Sequence, residues 1–246
     1  MRSVAGKIGL ALVGAVAAAV LAARGAKLIT TSDRTALAAL VVVALVAVLT
    51  PAWAANSDSR RRRAAREEVD AEQALSAALW TIIDLLEASG LDVDYRDFSL
   101  SVYRLRTSRS RETELLLVHR ERARNRAASS GITWRPGLGV IGTCVQTRDV
   151  AAQDFAALST APDLASPQDW AALPDEVRLG LSWEQFSQAR GKYGTIVAAP
   201  STTTRQGRTV VLGCAALDGP PDMVDALTEA PVINQMLLAA DGLLQT

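Results

Sequence analysis

Residues 194–217 read GTIVAAPSTTTRQGRTVVLGCAAL, and this stretch decides the fold. Two apolar runs, Gly194–Pro200 and Arg208–Leu217, flank a polar segment, Ser201–Gly207. Short apolar runs on either side of a turn-forming segment read as a β-hairpin. The second run is nearly continuous in apolar residues, as expected of a central strand covered on both faces. Its later half is built from small residues, Gly213, Cys214, Ala215 and Ala216. These leave space over the sheet, and either a ligand pocket or a closely packed helix can use it.

Upstream, Phe98, Leu100, Val102 and Leu105 mark a strand over Asp97–Arg106. A charged turn, Thr107–Arg111, leads to a second strand in Glu112–Arg120 around Leu115–Val118. These form a second hairpin. A helix precedes them: between Ala64 and Ala88, Val69, Leu75, Ala78, Leu79, Ile82 and Leu86 line one face, and Gly90 is placed to end it in a left-handed conformation. A final amphipathic helix is expected over Asp222–Ala240. Helices first, middle and last around two strand hairpins describe an α+β domain with a central antiparallel sheet.

The N-terminal region has another character. Residues 8–23 (IGLALVGAVAAAVLAA) and 36–55 (ALAALVVVALVAVLTPAWAA) carry no charge. A bilayer core needs about 20 helical residues, which the second run supplies and the first approaches with Val4–Lys7. The short connection Arg24–Arg34 fits a transmembrane hairpin. Arg60–Arg63 directly follows the second run, and such a cluster is retained on the cytoplasmic side. The expectation is therefore a two-span anchor in the cell membrane with both termini cytoplasmic. A cleaved signal around Pro51–Ala54 is disfavoured, because the arginines oppose translocation and an extra apolar run lies upstream. The organisation expected is a hairpin over 1–56, a basic segment and connecting helix over 57–92, and a cytoplasmic domain over 93–246.

Across 246 residues, 26 basic and 26 acidic side chains balance, and bulk charge points to no nucleic acid. Beside a membrane span, Arg60–Arg63 is better explained by topology and by lipid headgroups of the bilayer. Two distant cysteines and one histidine, His119, give no disulfide framework and no metal-ligand spacing. Gly137, Gly139 and Gly142 match a dinucleotide fingerprint, yet no apolar strand precedes them and no β-α-β pattern surrounds them. A tight turn is the better reading, and no cofactor is expected.

The order of elements, with residues 137–142 (GLGVIG), 196–200 (IVAAP) and 212–218 (LGCAALD), resembles the GAF domain family over about Ala71–Ala240. That resemblance implies a sensory or regulatory fold: a sheet with helices behind it and a ligand pocket in front. Within the class the chain also resembles free methionine-(R)-sulfoxide reductase, but its cysteines depart from that pattern. Cys144 is displaced from the glycine turn and no cysteine occurs between Val145 and Gly213. Both cysteines are read as buried structural residues, and no catalytic residue is assigned.

Ala161–Lys192 holds two capped short helices. Ser166-Pro167 starts one and Ser182 with Gln185 starts the other. Their aromatics, Trp170, Trp183 and Phe186, either wall a ligand pocket or staple an insertion to the core. With Trp134, Ala215 and Ala216 they form the candidate pocket set. The expected function is a non-enzymatic, membrane-tethered sensory or regulatory module that binds a small ligand or a protein partner, with homodimerisation through the connecting helix. The alternative is a membrane-perturbing effector whose hairpin is gated by the domain.

Overall fold

Strands β1 (Ser99–Thr107), β2 (Thr113–Arg122), β3 (Ala151–Asp154), β4 (Thr195–Arg205) and β5 (Arg208–Gly219) form one sheet in the order β2-β1-β5-β4-β3. Every neighbouring pair is antiparallel. These elements come from a computed structural model, which describes residues 69–108, 111–122, 131–161 and 164–245, with the isolated helical residues Ala18, Ala22 and Val41. The chain divides into two units, Met1–Glu67 and Glu68–Thr246. The two apolar runs and the arginine cluster lie outside the described residues, Ala18, Ala22 and Val41 aside. Among the described residues no helix is long and apolar enough to cross a membrane.

The sheet sits between two helical layers. One layer holds α1, which runs through residues 69–88, and the C-terminal helix. Leu75, Leu79, Ile82 and Leu86 recur at helical spacing on α1 and are fully or almost fully buried. They pack with Phe98, just before β1, with Leu100 and Val102 of β1, Val197 and Ala199 of β4, and Ala215 and Leu217 of β5. Gly90 ends this helix with φ 84°, and the Leu91 N–H reaches back to the Leu86 carbonyl at 3.2 Å. That six-to-one bond across a left-handed glycine is the Schellman arrangement.

On the other face lie α2 (Gly139–Thr147), α3 (Phe155–Thr160), α4 (Pro167–Ala172), α5 (Asp175–Arg178) and α6 (Trp183–Ala189). Their core includes Ile141, Val145, Phe155, Trp170 and Phe186, packed with Tyr103, Ile196 and Cys214 of the sheet. Both expected capping boxes are present, Ser166 with Asp169 and Ser182 with Gln185.

Three features differ from the sequence reading. The polar segment expected to separate the last two strands is mostly strand, because the β-branched residues Thr202–Thr204 continue β4. The turn shrinks to Gln206 and Gly207, both at positive φ (52° and 73°), the backbone a two-residue hairpin loop demands. Strand β3 has no apolar alternation in its sequence and was not legible. It pairs only with Thr195–Ala198, so Pro200 lies past its end and leaves no ladder bond unmade on that side. The C-terminal helix is two helices, α7 (Val224–Leu227) and α8 (Ala230–Leu244), because Pro231 fits the first turn of a new helix and not the interior of an old one.

Candidate functional site

A cleft opens where the sheet carries small and polar residues on its α2 face. Alternation along β1 sends Leu100 and Val102 to one core and Ser99, Ser101 and Tyr103 to the opposite face. The register then sets their neighbours: Ser101 lies between Arg120 of β2 and Ala216 of β5, and Ser99 between Arg122 and Asp218. A β-bulge between Val102 and Tyr103 fixes this register, since His119 faces Val102 while Leu117 faces Tyr103.

Above that floor stand Trp134 and Ile141, with Lys192, Tyr193 and Ile196 closing the β4 side. The volume of the cleft is about 40 Å³. Trp134 is held by its backbone, whose carbonyl accepts the Leu115 N–H at 2.9 Å. Its ring lies against Gly139, where any side chain would collide with it, and Gly139 has φ 63°. The glycine motif thus serves close approach of the 131–138 loop to α2. No parallel strand precedes it, so it lacks the setting of a dinucleotide site.

Arg120 is fixed in the cleft by two side-chain hydrogen bonds. Its Nε donates to Ser101 Oγ at 2.8 Å and its Nη2 to the Tyr103 hydroxyl at 2.9 Å. Burial pushes the Tyr103 phenol above its ordinary value, with the Arg120 charge and hydrogen bond pulling the other way. Asp218 accepts the Gly194 N–H at 3.3 Å, which ties the end of β5 to the start of β4. A wider depression of about 520 Å³ adjoins at Lys192 and Tyr193, but its walls are largely loop glycines, prolines and small residues. Convergent polar side chains over an apolar wall mark the narrower cleft as the better binding site.

The six candidate pocket residues separate. Trp134 and Ala216 line the cleft. Ala215 lies in the opposite core against the α1 and α8 layer. Trp170, Trp183 and Phe186 pack on one another: Trp170 and Phe186 stack at 4.2 Å, and Trp183 approaches Phe186 at 5.8 Å. The Trp170 Nε1–H reaches the Leu181 carbonyl at 3.0 Å. Phe155 continues the cluster to Tyr193, edge-on at 6.3 Å, so these rings buttress a wall of the cleft from behind. Sequence reading missed Arg120, Ser101 and Tyr103. The signal was the alternation of β1, where the polar Ser99, Ser101 and Tyr103 face away from Leu100 and Val102.

Cys144 and Cys214 are both free thiols and fully buried. Cys214 Sγ lies 3.9 Å from the Ile141 carbonyl. Its hydrogen bond with Cys144, then burial, then the charge of Cys144 hold the Cys214 thiol well above its ordinary range. A thiol kept protonated is a weak nucleophile. His119 is half-buried on β2 opposite Val102. Among the described residues no group of three or more His, Cys, Asp or Glu could hold a metal ion.

No family model and no curated relative matches the chain. Among solved structures, it is similar to a type II free methionine-R-sulfoxide reductase from Thermoplasma acidophilum at 13% identity and TM-score 0.38, covering 72% of this chain and 97% of that one. It is also similar to the GAF domain of a two-component sensor histidine kinase from Bacillus halodurans, at 15% identity and TM-score 0.36 over 70% of this chain and 91% of that one. The chromophore-binding domain of an unusual bacteriophytochrome from R. palustris is a further neighbour, at 13% identity and TM-score 0.37 over 75% of this chain and 63% of that one. The α+β domain with a central antiparallel sheet, expected from the sequence, is present with five strands.

Proposed function

We propose that this protein is a membrane-tethered sensory or regulatory module whose GAF-like domain binds a small ligand, non-enzymatically, in the cleft over β1 and β5. The observation that carries the reading is the cleft itself. A hydrogen-bonded arginine, Arg120, and the apolar side chains of Trp134, Ile141 and Ala216 border one cleft. The tether rests on the uncharged runs 8–23 and 36–55, and the cytoplasmic placement of the domain on Arg60–Arg63.

A saturation-transfer NMR screen of small fragments tests it, on the full chain in lipid nanodiscs. Fragments that bind should lose their signal when Trp134 is replaced by Ala while the melting temperature is held. A screen in which no fragment depends on Trp134 would refute the site.

A further inference from the structure

We infer that the ligand of this cleft is a short-chain carboxylic acid whose carboxylate is held by Arg120, an inference that rests on the reading of the cleft as a ligand site. A guanidinium has five N–H donors in a rigid plane. In Arg120 the Nε and one Nη2 hydrogen are engaged by Ser101 and Tyr103. Both partners are hydroxyls, which orient the group without neutralising it. Among the described residues no carboxylate meets Arg120. The end-on edge formed by Nη1 and Nη2 remains, and it matches the spacing of a carboxylate's oxygens.

The surrounding charge has the same sense. Arg122 and Lys192 also line the cleft, against the single carboxylate of Asp218. Asp218 is turned in part to the backbone, where it accepts the Gly194 N–H. The half-buried Arg120 cation gains from an incoming anion, because a partly desolvated charge is costly until it is paired.

The apolar wall narrows the chemistry. Trp134, Ile141, Ile196 and Ala216 give the lining its apolar part. A tetrahedral phosphate would turn charged oxygens toward these side chains, where the Trp134 indole N–H is the one side-chain donor. A carboxylate with a short alkyl body places its polar end on Arg120 and its apolar end on these side chains. A space of about 40 Å³ holds on the order of three waters, the bulk of an acid of roughly two to four carbons.

The test is calorimetric titration of the full chain in neutral lipid nanodiscs with propionate, propionamide and inorganic phosphate at fixed ionic strength. Propionate should saturate, with propionamide and phosphate each at least about tenfold weaker. Arg120→Gln should weaken propionate by roughly ten- to a hundredfold in a protein that still unfolds cooperatively. Arg120→Lys should recover only part of the loss, because a point charge replaces the planar fork. The comparison of propionate with propionamide needs no variant. Equal binding of the two would overturn the carboxylate assignment and leave the cleft a ligand site. Preference for phosphate, or no saturation by propionate, would also overturn the assignment. The dependence of fragment binding on Trp134 then decides separately whether the cleft binds any ligand.

Discussion

Ala215 and Ala216 are adjacent in β5 and serve opposite faces of the sheet: Ala215 is wholly buried against the α1 and α8 layer, and Ala216 lies on the floor of the cleft. Filling the two positions should therefore have unequal effects. Ala215→Leu forces a larger side chain into a dry, packed core and should cost about 1–3 kcal/mol. Ala216→Leu projects into existing space and should cost distinctly less. Urea denaturation of the two variants measures the difference, and equal losses would show that no usable space lies over Ala216.

Neither thiol is expected to be chemically essential. Cys144→Ala and Cys214→Ala should each lower stability by about 1–3 kcal/mol, through the small cavity and the lost sulfur hydrogen bond. Ligand affinity should be unchanged, since neither residue lines the cleft. Loss of binding without loss of stability would assign the thiols a role in recognition.

Tyr95 predicts an alkaline limit. Its ring stacks on Trp80 of α1 at 4.3 Å, and its hydroxyl donates to Glu121 at 2.7 Å. Burial first, then the hydrogen bond and charge of Glu121, push its pKa from 10.0 to about 12. The folded state thus prefers the protonated phenol. Its contribution is complete below the unfolded value near 10 and is lost as pH rises toward 12. Melting temperature should fall across that window, and Tyr95→Phe should flatten the fall. An identical alkaline profile in the variant would exclude Tyr95 as the cause.

The topology is open to a direct assay. With Arg60–Arg63 close behind the uncharged run 36–55, an export-dependent reporter fused after Thr246 should stay silent in cells. Strong reporter activity would place the domain on the other side of the membrane.

Much of the domain was legible where residue pattern and local physics agree. Leu75–Leu86 at helical spacing, Gly90 at the helix end, and the apolar runs of β1, β2, β4 and β5 all announce their elements. Two kinds of feature were hidden. Ala151–Asp154 becomes a strand only because β4 offers an edge, which is a tertiary effect without a local signal. The Arg120 site depends on register: a bulge in the β1–β2 pairing places Arg120 beside Ser101, and no reading of β2 alone reveals it. The aromatics Trp170, Trp183 and Phe186 show the converse. Their composition is as suitable for a pocket as for a core, and packing alone distinguishes the two.

The central claim, a ligand in the cleft over β5, is tested most directly by measuring fragment binding to the full chain with Ala216→Leu. That substitution fills the floor between Ser101 and Ala198 and leaves Arg120, Trp134 and the opposite core unsubstituted. The account predicts that fragments which saturate the wild-type protein lose binding to the variant, while its melting temperature stays close to wild type. Undiminished binding of those fragments to a folded Ala216→Leu protein would contradict it.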